Sequence, residues 1–187
     1  AGERCMAISV VVPVGEKTAD TLVAKLKTRV EALKVGLPTD GDAAYGPLVS
    51  AAHRRKVLDY IDLGVREGAE LVVDGRGFKM QGYENGFFLG GSLFDRVTPS
   101  MRTYREEIFG PVLQVARAKD FDEALRLKPG LTALWNERCW TRAVLGNLQG
   151  ATTDCSEAIR LNPDDAEALD SRGLISLKSG QWAAAIT

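Results

Sequence analysis

The sequence predicts an α/β fold with a mostly parallel sheet over residues 1–127, followed by an all-α segment of helix–turn–helix repeats over residues 128–187. Three observations predict it. Up to about residue 118, stretches of helical periodicity alternate with short apolar runs, the texture of helices layered on a sheet. Beyond residue 119 the glycine-bounded apolar runs stop and helical spacing continues to Thr187. In that second part residues recur at a fixed offset of 34. Ala124, Leu127 and Pro129 return as Ala158, Leu161 and Pro163, Gly146 and Ala151 as Gly180 and Ala185, and Arg138 as Arg172.

Each element has a local reason. "ISVVVPV" (8–14) is rich in β-branched residues and reads as a buried strand. From Lys17 to Lys34, Leu22, Leu26, Val30 and Leu33 recur every three or four positions, as in an amphipathic helix. The Gly-, Pro- and Asp-rich "GLPTDGDAAYGP" is a loop. A second helix carries Val57, Leu58, Ile61 and Val65 on one face and stops near Gly68. "AELVVDG", "GFFLGGSLF" and "GPVLQVARA" are apolar runs bounded by glycine, hence strands.

Composition narrows the function classes. The 187 residues, 45% hydrophobic and 26% charged, have room for one medium domain or a small one plus part of another. A net charge of −1 gives no field to steer the chain to nucleic acid or an anionic membrane. No apolar run nears the roughly 20 residues that span a bilayer. Three cysteines, an odd count without regular spacing, argue against a disulfide framework and for a reducing, cytoplasmic setting. Cys139 and Cys155 are expected to fill the helix-packing core. No metal-ligand spacing stands out. His53, in the polar run "HRRK", is expected on a solvated face. With Ala1 at its start and no charged-then-apolar leader, the chain reads as an internal fragment.

The 34-residue period, Trp135 early in one helix, Ala151 and Ala158 at a helix crossing and Pro163 after the next helix resemble the tetratricopeptide repeat family. Small side chains let antiparallel helices approach, and proline cannot continue a helix. The following unit keeps Gly173 and Ala185, with Leu169 at the aromatic position. This resemblance covers one full unit and parts of two, against the three or so repeats a stable array needs. It implies a peptide or protein partner.

"AGERCMA" at residues 1–7 and "REEIFGPV" at Arg105–Val112 resemble two signatures of the aldehyde dehydrogenase superfamily, and the "GERCMA" wording its methylmalonate-semialdehyde, CoA-acylating subgroup. The resemblance implies a semialdehyde substrate with NAD and CoA. It makes Cys5 the nucleophile that forms a thioester, Arg4 a contact for the substrate carboxylate, Glu107 the holder of the nicotinamide ribose and Phe109 the neighbour of the nicotinamide ring. From the residues themselves, Cys5 is expected in a segment opening a helix beside Arg4, where a thiolate is favoured.

In that family a Rossmann-like NAD-binding domain lies ahead of the cysteine, and after "DFDEALRL" the family continues with a helix ending in a "YG" turn. Here "KPGLTALW" follows instead, so a fusion is expected near Leu127–Lys128. Given malonate semialdehyde, NAD and CoA, the 187-residue chain alone is expected to produce no NADH, read as absence of a rise in absorbance against a full-length relative as control.

Overall fold

Glycine-bounded apolar runs become a four-stranded sheet, and the periodic stretches become the helices around it. The computed structural model describes Gly2 and residues 4–185, so Ala1 and Glu3 of the opening motif lie outside the described residues. The chain divides into two compact units, Ala1–Lys119 and Asp120–Thr187.

In the first unit the order is β1 (Val10–Val11), α1 (Glu16–Glu31), α2 (Ala51–Glu67), β2 (Glu70–Val73), β3 (Ser92–Asp95), α3 (Arg102–Arg105) and β4 (Val112–Val115). The strands lie side by side as β1-β4-β3-β2. β4 runs parallel to both neighbours, its Gln114 opposite Val10 on one side and Phe94 on the other. β2 pairs antiparallel with β3, so the sheet is mixed. The reason is local. A parallel pair needs a crossover, usually helical, and the segment between β2 and β3 contains no helix.

α2 is fixed at both ends. Ser50 accepts a hydrogen bond from the His53 N–H, and Gly68, at φ 94°, turns the chain out of the helix. Between them Val57 and Ile61 are fully buried against Phe94, Leu89 and Ile108. Gly64 lets the helix come down onto Phe94, whose ring would lie 2.8 Å from a Cβ there. Val65, expected on the same face, is partly exposed at 45%. Asp95, buried at the end of β3, is paired with Arg117, which also reaches Glu16 and Asp20 of α1. Burial pushes the Asp95 carboxyl up, but the Arg117 guanidinium and the Arg96 backbone N–H together outweigh it and the group ends below the ordinary carboxylate range.

The second unit is helical: α4 (Phe121–Leu127), α5 (Thr132–Val144), α6 (Leu148–Leu161) and α7 (Ala166–Lys178), with a 3₁₀ turn at Ala183–Ala185. Its turns repeat. Lys128 donates to the Ala124 carbonyl and Asn162 to that of Ala158; Asn147 donates to Arg142 and Gln181 to Ser176. Gly146 (φ 86°) and Gly180 (φ 74°) make the same left-handed exit from α5 and α7. Ala143, Ala151 and Ile175 form its core. Asp154, fully buried on α6, is bonded by Arg138 and Arg142 of α5.

The expectation that Cys139 and Cys155 only fill the core is corrected: they are joined in a disulfide. Both are fully buried, and the packing of α5 on α6 brings their Cα atoms to 5.4 Å, within bridging range. The bridge closes a loop across 16 positions, for which restriction of the unfolded chain is worth about 3 kcal/mol. Reductant, which opens the bridge and leaves both thiols packed, is therefore expected to lower the denaturant midpoint of the second unit, and Cys139→Ala with Cys155→Ala to lower it further by the lost packing, followed by Trp fluorescence.

Candidate functional site

In the loop from Glu106 to Gly110 each residue has a separate anchor. Glu106 accepts two hydrogen bonds from Arg102 at 2.9 and 3.1 Å, and one from the Tyr60 hydroxyl at 2.6 Å. The Arg102 guanidinium first, and the Tyr60 hydroxyl second, pull its carboxyl down to about 2. The same carboxylate pushes the Tyr60 phenol above its ordinary value. Glu107 leaves its carboxylate exposed while its carbonyl accepts from Lys56 Nζ at 3.2 Å. Ile108 drops into the core beside Val57 and Val112.

Phe109 stands at φ 55°, the left-handed region, where a non-glycine residue costs on the order of 1 to 3 kcal/mol. Its carbonyl lies 2.7 Å from His53 Nε2, and the two rings sit 6.2 Å apart. Gly110 packs on Val57, whose methyl carbons would be 2.7 Å from a Cβ at that position. Gly2 crosses the same backbone so closely that its own Cβ would lie 2.5 Å from the Gly110 carbonyl oxygen.

Beside this loop is a cavity of about 200 Å³, lined among others by Ser9, Val10, Glu107, Phe109 and Gln114. Gln114 is buried on β4 and donates to the Thr103 carbonyl at 2.9 Å, while its Oε1 has no partner among the described residues. A carboxylate that accepts hydroxyl hydrogens and a flat aromatic ring thus share one small space. At about 200 Å³ it is smaller than the roughly 300–1,000 Å³ that usually encloses a drug-sized ligand.

The other two sequence-predicted residues lie elsewhere. Arg4 and Cys5 are exposed in a turn closed by the Ala7 N–H on the Arg4 carbonyl at 2.9 Å, and neither lines the cavity. The expectation that this segment opens a helix is corrected. Val10 and Val11 pair with β4, the Ser9 carbonyl accepts from the Gln114 N–H, Pro13 follows, and the first helix begins only at Glu16. Cys5 is a free thiol. Among the described residues no group of three or more His, Cys, Asp or Glu could hold a metal. No helix there is long and apolar enough to cross a membrane.

The sequence reading of His53 is also corrected. It is part-buried against the loop, not solvated, and its Nδ1 is enclosed without a partner among the described residues. His53, Val57 and Ile61 are spaced by four along α2, and that spacing was the available signal; the neighbouring charges of "HRRK" mask it. Lys56 and Tyr60 were missed for the same reason.

The family model for aldehyde dehydrogenases matches residues 1–130. The chain belongs to the aldehyde dehydrogenase family. It is 62% identical over 126 residues to a malonate-semialdehyde dehydrogenase of Pseudomonas aeruginosa, covering 67% of this chain and 25% of the relative. A malonate-semialdehyde dehydrogenase 2 of Geobacillus thermodenitrificans is 39% identical over 168 residues, which are 90% of this chain and 32% of the relative. Among solved structures, a chain assigned as a methylmalonate-semialdehyde dehydrogenase from Sinorhizobium meliloti, complexed with NAD, is 58% identical with a TM-score of 0.67, over 68% of this chain and 26% of that one. The chain spans about a quarter of the length of the first of these relatives.

The Glu106 carboxyl gives a pH test of the loop. Its folded value, about 2, is depressed from 4.5, so its contribution to stability is complete above 4.5 and is lost as pH falls through about 2. The carbon-13 titration of Glu106 is expected to have its midpoint near 2, and Arg102→Ala is expected to move that midpoint towards 4.5.

Proposed function

We propose that residues 1–127 are the thiol-bearing part of the catalytic domain of an NAD-dependent, CoA-acylating malonate- or methylmalonate-semialdehyde dehydrogenase. The observation that carries the reading is the meeting of Glu107 and Phe109 at one cavity, in a chain 62% identical to a malonate-semialdehyde dehydrogenase. Cys5 Sγ, as thiolate, attacks the aldehyde carbon, and the carbonyl oxygen takes the negative charge within reach of the Cys5 backbone N–H. Arg4 pairs with the substrate's carboxylate. Glu107 would accept from the ribose hydroxyls of NAD, and Phe109 would sit beside its nicotinamide ring. NAD, when bound, supplies the hydride acceptor. Cys5 is left holding the acyl group as a thioester, and the thiol of CoA takes that group and releases Cys5.

The remaining parts of such an enzyme must come from the rest of a longer protein or from another chain, because this one spans a quarter of its relatives. We place the protein in the cytoplasm, where burial would shield the Cys139–Cys155 bridge from a reducing pool. A second reading concerns residues 128–187. The turn hydrogen bonds recurring at the 34-residue offset favour tetratricopeptide-type units joined to the dehydrogenase segment near Leu127–Lys128, with a peptide or protein as partner. Genomic DNA read across those two codons tests the join: two separate loci rule out a natural fusion.

The enzyme reading is tested by grafting. With residues 1–127 replacing the matching quarter of the Pseudomonas aeruginosa relative, CoA-dependent NADH formation from malonate semialdehyde is expected. Cys5→Ser in that graft is expected to lower kcat by at least about 10³-fold, the scale of losing a catalytic nucleophile. A folded graft that is inactive, or one in which Cys5→Ser stays active, sinks the reading.

A further inference from the structure

One stripe of α2 grips the 106–110 loop along its length. His53, Lys56, Val57 and Tyr60 stand at i, i+3, i+4 and i+7, a single face of a helix. In turn they bond the Phe109 carbonyl, bond the Glu107 carbonyl, pack on Gly110 and donate to the Glu106 carboxylate. Of these anchors, the one at Phe109 acts where the backbone is unfavourable, because residue 109 is left-handed without being glycine. A carbonyl oxygen only accepts, so Nε2 carries the hydrogen of that 2.7 Å bond. Nδ1 is then enclosed with no partner among the described residues. The imidazole is therefore seated for the Phe109 bond alone, at the cost of leaving its other nitrogen unsatisfied.

We propose that His53 is the positioning residue of the cofactor loop: its bond to the Phe109 carbonyl holds residue 109 in the left-handed conformation that sets the Phe109 ring and the Glu107 side chain on the same cavity. The word cofactor rests on the proposed reading of Glu107 and Phe109; the hold on the loop does not.

Two measurements keep these apart. On the full 187-residue chain, trypsin cleavage after the exposed Arg105 reports release of the loop. His53→Leu is expected to speed it about tenfold, the scale of one lost buried hydrogen bond. His53→Gln, whose amide N–H can reach the same carbonyl, is expected to restore the slow rate. In the grafted enzyme His53→Leu is expected to raise the KM for NAD about tenfold with a smaller change in kcat, and His53→Gln to reverse it. Unchanged cleavage in His53→Leu overturns the proposal. Faster cleavage with an unchanged KM for NAD leaves α2 a structural clamp and overturns the cofactor role. A graft without any activity sinks the enzyme reading, while the trypsin measurement still decides the clamp. If His53→Leu does not fold, Lys56→Met, at an exposed side chain bonded to the same loop, is read in both assays.

Discussion

Val57 reaches the loop between Ile108 and Pro111 because Gly110 has no side chain; a Cβ there would lie 2.7 Å from both of its methyl carbons. That close approach governs the rest of the first unit. It sets the height of α2 over the sheet, with Gly64 allowing the same intimacy about two turns on, against Phe94. It brings His53 and Lys56 within hydrogen-bonding distance of two loop carbonyls. It also seats Ile108 in the core, so that its neighbours Glu107 and Phe109 are left at the cavity. Packed interiors leave few voids, so a displacement of one methyl group here is felt along the whole helix.

Much of this architecture was legible. α1 and α2 follow from apolar spacing, α1 ending at Glu31 rather than Lys34 and α2 at the expected glycine; β2 and β4 lie within their glycine-bounded runs, and β3 passes the end of its run by one residue, Asp95. The direction of β2 was not legible, because it depends on the absence of a helix in the long loop after it rather than on anything in "ELVV". α3, four residues long, has too little sequence to carry a period. The pairing of Cys139 with Cys155 depends on the register of α5 against α6, a tertiary property that a count of cysteines does not contain.

The candidate site was legible in unequal parts. Glu107 and Phe109 came from a motif, and their convergence on one cavity follows from the turn that the motif encodes. His53, Lys56 and Tyr60 carry no motif; they act through backbone carbonyls and a neighbouring carboxylate, and only the folded helix shows which of its charged residues face inward. Arg4 and Cys5 lie in a turn rather than at a helix start, because strand pairing claims the residues after them.

Arg117 has a further consequence. α1 has a single fully buried residue, Ala19, so little apolar surface fastens it to the sheet. What ties its first turns down is one guanidinium that simultaneously serves Asp95 beneath it and Glu16 and Asp20 above. The two upper partners are largely open to solvent and therefore to screening, while the lower one is enclosed. As ionic strength rises, the start of this helix is accordingly the first part of the unit to loosen, and the sheet beneath keeps its own half of the contact.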